Sequence, residues 1–450
     1  MTSAVPGSLE HWLAREHRHA ATAMLKSISA CDIVKERPGF GQTVRPVAGS
    51  IVAGPVLAAY DPDPDYFFHW FRDSAIVIDA VRVLYEEGHL DAQALNHFAD
   101  FVRFSLSLRT LDGRTLVASP QWRQNVAPDF ERYLRGEDLK TVAGDAVYAE
   151  TRVNPDGTLD ISRWARPQHD GAPLRALAVL RWLRTLRAKA GRANENIRVD
   201  AERLLRIDLA LTAAHWRERS FDIWEEEQGL HYFTLRVSAA ALEEGAEWLG
   251  AAGEIAAAAK QRATTQVIRE KLDTFWLGDV DHYRSRIMPP GVATTKLLDM
   301  AVILSTLHSG DSEDAHTVRD PRMHATLDAL ERLFDRLYLI NHGRPRERGP
   351  AMGRYEGDVY CSGGAYYFST LGAAEFCFRA AAARAPGGPD RWIMRGDAFL
   401  ETVRAFTPAS GDLSEQFDQR TGDQTSAKHL AWSYAAFISC VAARRAAALP

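Results

Sequence analysis

Apolar residues recur along this chain every three to four positions, the period of one face of an α-helix. Within Ser74–Gly88, Val77, Ala80, Val81 and Leu84 fall at i, i+3, i+4 and i+7, and Gly88 is placed to end the helix. A second stripe runs Leu95, Phe98, Val102, Leu106. A third follows Pro173, carries Leu180, Leu183 and Leu186, and ends at Gly191. The same period predicts helices over Leu9–Ile28, Asp208–Arg219, Ser238–Gly250, Glu254–Phe275, Leu297–Leu307, Leu327–Leu337, Thr370–Ala383, Trp392–Phe406 and Leu430–Leu449. About a dozen helices result, an all-α pattern.

Stretches rich in Pro, Gly and Asp interrupt them: Ala59–Tyr66, Val153–Pro173, Asn341–Gly353 and Ser362–Ala365. Aromatic and charged residues gather there, which predicts one body of antiparallel helices with function on the loops at one end. No linker or low-complexity run divides the 450 residues, so 1–450 reads as one domain of barrel-like size. A helical solenoid ranks lower because no repeat of its period is present. Composition narrows the field further. With 46% hydrophobic and 25% charged residues the chain can build a large core. A net charge of −5 without a basic stripe argues against nucleic acid as partner. No stretch approaches a membrane span. Cys31, Cys361, Cys377 and Cys440 are scattered without metal-ligand spacing. With no signal-peptide pattern at the start, the expectation is a cytoplasmic protein without a metal site.

Five loop clusters could carry chemistry. In FDIWEEEQGLHYF, Asp222, Glu225, Glu226 and Glu227 surround Trp224. Such a run is ordinarily a solvated acidic turn; alternatively one Glu is desolvated by the tryptophan and crowded by its fellow acids, which would keep it protonated near neutral pH. The second is SEQFD, containing Glu415, followed by LAWSY with Trp432. Alone, Glu415 is a surface residue; paired with Glu225 it would complete the two carboxyl groups that glycoside hydrolysis needs. The third, YFFHWFRDSA, sets Tyr66, Arg72 and Asp73 among rings; Asp73 or Ser74 would cap the helix that follows, or Arg72 and Asp73 would clamp a sugar. His69 within it either touches substrate or only packs, and a lone histidine between aromatics is more often a hydrogen-bonded core residue. The fourth is WARPQHDG, with Trp164 and a capping Asp170, and the fifth GRYEGDVY, with Arg354 and Asp358. One aromatic–acid loop means little, but five suggest a lined polar pocket.

The segments YFFHWFRDSAIV, RWARPQHDGAPLRA, FDIWEEEQGLHYFTL, GRYEGDVY and LSEQFDQRTGDQTSAKHLAWSYAAF resemble the five loop motifs of the glucoamylases, glycoside hydrolase family 15, in the family's order. LEHWLAREHRHAATAMLKSI near the start is similar to fungal-type members. The resemblance implies an (α/α)6 barrel of six inner and six outer helices with the site at one end. It implies inverting, exo-acting hydrolysis that releases β-glucose from non-reducing ends of α-1,4-glucans or short oligosaccharides, with no cofactor. By motif matching, Glu225 is the general acid and Glu415 the general base. Arg72, Asp73 and Arg354 would hold the terminal sugar, Tyr66 would stack near it, and Glu226 would meet the adjacent sugar. Trp164, Trp224 and Trp432 would line the pocket, Asp222 would set the charge of the acidic cluster, and Asp358 would support the arginine.

The chain departs from the family after GRYEGDVY. Where Asn-Pro-Trp usually stands it reads CSGGAYY, which would put Tyr366 at the rim in place of a tryptophan. Preference between α-1,4 and α-1,6 links therefore stays open, with isomaltose, dextran or trehalose as alternative substrates. An inactive carbohydrate-binding barrel and a helical-repeat scaffold are the alternatives from other classes.

Overall fold

A computed structural model describes residues 7–57, 64–119, 121–189, 195–310 and 315–449. Among them run fourteen α-helices. The first seven are α1 (Leu9–Leu25), α2 (Phe71–Glu86), α3 (Gln93–Ser107), α4 (Gly113–Ala118), α5 (Gln121–Gln124), α6 (Gly171–Ala188) and α7 (Glu195–His215). The rest are α8 (Tyr232–Ala251), α9 (Ile255–Asp273), α10 (Ala301–Ser309), α11 (Pro321–Leu337), α12 (Tyr367–Ala382), α13 (Pro389–Phe406) and α14 (Ala431–Ala447).

Two kinds of long helix alternate. In α2, α6, α8, α10, α12 and α14 most side chains are buried, whereas α1, α3, α7, α9, α11 and α13 bury one stripe and show water a charged face. The first set closes a ring in which α2 packs on α6, α6 on α8, α8 on α10, α10 on α12, α12 on α14, and α14 on α2. Each outer helix lies against that ring, for example α9 on α8 and α13 on α12. This is the (α/α)6 barrel. Glycines admit its closest approaches: a Cβ on Gly372 of α12 would come within 2.7 Å of Leu304 of α10, and one on Gly171 within 2.6 Å of the Phe71 Cβ.

All twelve predicted helices have a counterpart, with shifted ends. The helix predicted from Asp208 begins at Glu195, and that predicted from Leu327 begins at Pro321, capped by Asp320 accepting from Arg322 N. The predicted stop at Gly191 and most of the Ala59–Tyr66 loop lie outside the described residues. Neither Asp73 nor Ser74 caps α2, which starts earlier, at Phe71. Between α3 and α6 the chain leaves the barrel through short turns and returns along 150–168. A buried ion network ties this excursion down: Arg135 and Arg166 on Glu150, and Arg152 and Arg166 on Asp160.

Short paired strands precede most of the inner helices: 69–70 before α2, 228–231 before α8, 365–366 before α12 and 424–428 before α14. The inner helices are parallel in this sense, and their N-termini gather at one end of the barrel.

Candidate active site

A cavity of about 230 Å3 opens at that end. Tyr66, Trp70, Arg72 and Asp73 line it from the start of α2, and Trp164 from the approach to α6. Trp224, Glu225 and Glu226 come from the approach to α8, Arg354, Tyr360 and Phe368 from that to α12, and Glu415 and Trp432 from around the start of α14. Four carboxyl groups thus face the positive ends of a helix ring, where backbone dipoles favour negative charge.

Glu225 sits in the turn between paired segments 220–221 and 228–229. Asp222 folds that turn: its Oδ1 accepts from the backbone N–H of Trp224 and of Glu226, both at 3.0 Å. The turn brings Glu225 to φ 65°, a left-handed backbone that costs a residue with a side chain about 1–2 kcal/mol. Three donors then converge on its carboxylate. Trp70 Nε1 and Arg72 Nη2 reach Oε1 at 2.8 and 3.0 Å, and Trp164 Nε1 donates to Oε2. The other acids of the cluster are each held by a cation. Arg286 draws Asp222 (2.6 Å) and Glu227 (2.8 Å), while Glu226 pairs with Lys296 (2.6 Å) and Arg354 (3.0 Å). Crowding of Glu225 by its sequence neighbours, one of the expectations from the sequence, is therefore not what the fold builds.

Glu415 lies on the strand Ser414–Phe417, and its pairing with Gln424–Lys428 slips between Ser414 and Gln416. That irregularity is a bulge, a device that re-aims side chains. Ser426 in the bulge has φ 64° and donates its hydroxyl to Glu415 Oε2, and the Tyr66 hydroxyl donates from 3.2 Å. Burial outweighs these donors and pushes the Glu415 carboxyl up to about 7.

Arg72 is fully enclosed, with Gln168 at 3.2 Å and Asp170 at 3.4 Å on Nη1. Asp170 thus serves the guanidinium; its side chain makes no helix-capping bond. Arg72 Nε and Asp73 Oδ2 lie 3.4 Å apart, both buried and neither hydrogen-bonded. Burial raises the Asp73 carboxyl to about 6 despite Arg72. Across the cavity floor Trp432 stacks on Phe368 with ring centres 4.4 Å apart, and Trp224 is held by its N–H on Asp299 at 3.0 Å. Trp164, 40% exposed, stands at the mouth over the Arg152 guanidinium, 3.7 Å from its ring centre.

Three residues matched to the site lie behind the lining. Asp222 is buried on Arg286, and Asp358 forks Arg354 at 2.7 and 2.5 Å. Tyr366 is fully buried, 3.4 Å from Asp358 and 2.6 Å from Gln416 Nε2. The expected rim position of Tyr366 is corrected: pairing of 365–366 with 416–417 points its ring into the protein, and Tyr360, whose hydroxyl meets that of Tyr66 at 3.0 Å, takes the place on the wall. His69 only packs: its Nδ1 accepts from Ile51 N at 3.0 Å, and burial lowers it to about 3. Arg286, Asp299, Lys296, Ser426 and Tyr360 were missed. Arg286 and Ser426 lie on the short strands 286–287 and 424–428, Lys296 and Asp299 lie in a loop, and Tyr360 ends the GRYEGDVY motif; only Ser426, with its left-handed backbone, has a structural signature of its own. Among the described residues, the two groups able to share a cation, His17–Glu87–His89 and His169–His215–Glu218, contribute nothing to this cavity.

Comparison with known proteins agrees with this geometry. The family model for glycosyl hydrolases family 15 matches residues 41–109, 147–394 and 389–442. A probable glucoamylase of Schizosaccharomyces pombe is 30% identical over 437 residues, 89% of this chain and 86% of the relative. Among solved structures, the glucoamylase of Hormoconis resinae superposes with a TM-score of 0.76 at 25% identity, over 97% of this chain and 74% of its own. That of Saccharomycopsis fibuligera gives 0.76 at 22% identity over 99% and 97%, a likeness of fold.

Proposed function

Because this chain belongs to glycosyl hydrolase family 15 and is an exo-acting hydrolase releasing glucose from α-glucans, we propose that Glu225 and Glu415 are the acid and base of its reaction. The observation that carries this assignment is their convergence on one cavity from a turn and a strand far apart in the chain, each at a backbone irregularity that aims it. Glu225 gives its proton to the glycosidic oxygen as the bond to the anomeric carbon breaks. Glu415 takes a proton from water as that water bonds to the opposite face of the same carbon. The products are the shortened glucan and β-glucose, and each carboxyl group ends with the other's protonation state until solvent resets the pair. Room for the water requires carboxyl groups about 6.5–9.5 Å apart.

The remaining walls fit a chain end. Arg72 and Asp73 take hydroxyls of the terminal glucose, Tyr66, Trp70 and Trp432 cover its apolar faces, and Arg354 and Glu226 reach toward the next unit. Lining from around the ring, closed beneath by Trp224 and Phe368, admits an end and not the middle of a polymer, which supports exo action. Maltooligosaccharides are the proposed substrates. Proton NMR of fresh product from maltotriose tests the chemistry; α-glucose appearing first would contradict inversion. If maltose and maltotriose survive while isomaltose is cleaved, the linkage assignment fails. Unpaired Cys31, Cys361, Cys377 and Cys440 support a reducing, cytoplasmic setting, which recovery of the protein from the medium would overturn. No helix among the described residues is long and apolar enough to cross a membrane.

A further inference from the structure

We propose that His169, His215 and Glu218 form a binding site for a divalent transition cation of the zinc class, on the barrel flank behind the active site. His215 ends α7, Glu218 follows three residues later, and His169 comes from the loop entering α6. The candidate ligand atoms all lie within 4.8 Å of one another. Glu218 Oε1 is 2.8 Å from His215 Nδ1, and Glu218 Oε2 is 3.4 Å from His169 Nε2. Two ligands on a tetrahedral zinc ion stand about 3.3 Å apart, from metal–ligand bonds of about 2.0–2.1 Å. The set is therefore near ligand spacing already, and the side chains of His215 and Glu218, 38% and 54% exposed, are free to close the rest.

The second observation is His169 itself. Its side chain is only 8% exposed and its Nε2 is buried without a hydrogen bond, although the Glu218 carboxylate approaches it. Buried ring nitrogens are normally satisfied. The two rings stack with centres 5.3 Å apart beside a cavity of about 250 Å3, which gives a cation a way in. The C-terminal carbonyls of α7 add negative potential. The cluster His17, Glu87 and His89 is a poorer candidate because Arg445 already donates to Glu87 at 2.6 Å and to His89 at 3.0 Å, so a cation would have to displace a guanidinium. His169 also separates Gln168 from Asp170, the two residues that hold Arg72, so the site adjoins the sugar-binding wall.

The test is calorimetric titration of the chelator-treated full chain with zinc chloride near pH 7.5. Expected is one site per chain with micromolar affinity, weakened at least tenfold by His215→Ala and by His169→Ala and unchanged by His89→Ala. Because His169 is buried, the surface variant His215→Ala carries the test if His169→Ala does not fold. Cobalt(II) should give a visible absorption band that His215→Ala removes. Zinc binding no tighter than millimolar, or micromolar binding that survives His215→Ala, overturns the proposal.

Discussion

The ring of Tyr66 packs against that of Trp70, centres 5.2 Å apart, and each donates its single polar hydrogen to a different carboxylate: Tyr66 to Glu415, Trp70 to Glu225. One short stretch of chain thus fixes both partners of the proposed pair. Tyr66→Phe keeps the ring and removes one bond to a charged group, a loss of about 1.5–3 kcal/mol. The expected result is a 10- to 100-fold fall in kcat/KM carried mainly by kcat, measured on maltotriose; an unchanged kcat would mean that Tyr66 does not position Glu415.

Glu225→Gln and Glu415→Gln should each lower kcat by about two to four orders of magnitude. The two differ on α-glucosyl fluoride, whose leaving group needs no proton. Glu225→Gln should regain turnover on it, and Glu415→Gln should not. The reverse pattern would exchange the two roles.

A base must be ionised to work, and burial raises Glu415 to about 7. In the free enzyme kcat/KM should therefore fall tenfold per pH unit below about 7. Ser426→Ala removes a hydrogen bond to the charged form and should move this limb to higher pH. A limb that stays put in the variant argues that the pH profile reports another group.

The same shift affects stability. A carboxyl group raised on folding contributes most below its unfolded value of 4.5 and loses that contribution as pH rises through about 7. Glu415→Gln should thus melt at about the wild-type temperature near pH 4.5 but about 1–3 °C higher at pH 8. Equal differences at both pH values would show that Glu415 does not titrate on folding.

Arg354 meets Asp358 through two nitrogens and Glu226 through one of them. Lysine keeps the charge but not the fork. Arg354→Lys should lower kcat/KM about 10- to 100-fold, mostly through KM, with little change in Tm. A normal KM would remove Arg354 from sugar binding.

Much of the barrel was legible because its helices announce themselves by periodicity, and the two classes differ in how much of their surface is apolar. Ends were read less well where outer faces are charged: α7 starts at Glu195 because Glu195, Arg198 and Glu202 pair along one face, which a hydrophobic stripe does not reveal. The Asp320–Pro321 cap was there to be read and was not. Most motif residues that line the cavity were found, Trp70 and Tyr360 excepted, but their supports were not: Arg286 gathers Asp222 and Glu227 from one turn and Asp299 from another segment, and no local spacing encodes that meeting. Tyr366 was placed wrongly because strand pairing, not distance along the chain, decides which way a ring points.

The parallel inner helices give the barrel two unlike faces. Chemistry occupies the one where their N-termini meet; at the other, α2 and α8 end in tight turns at Gly88 and Gly253, where an added Cβ would touch nothing within 4 Å. Surface tethers or fused modules attached through those turns would leave the mouth open to polymer, so the enzyme can be immobilised by its back without losing access at its front.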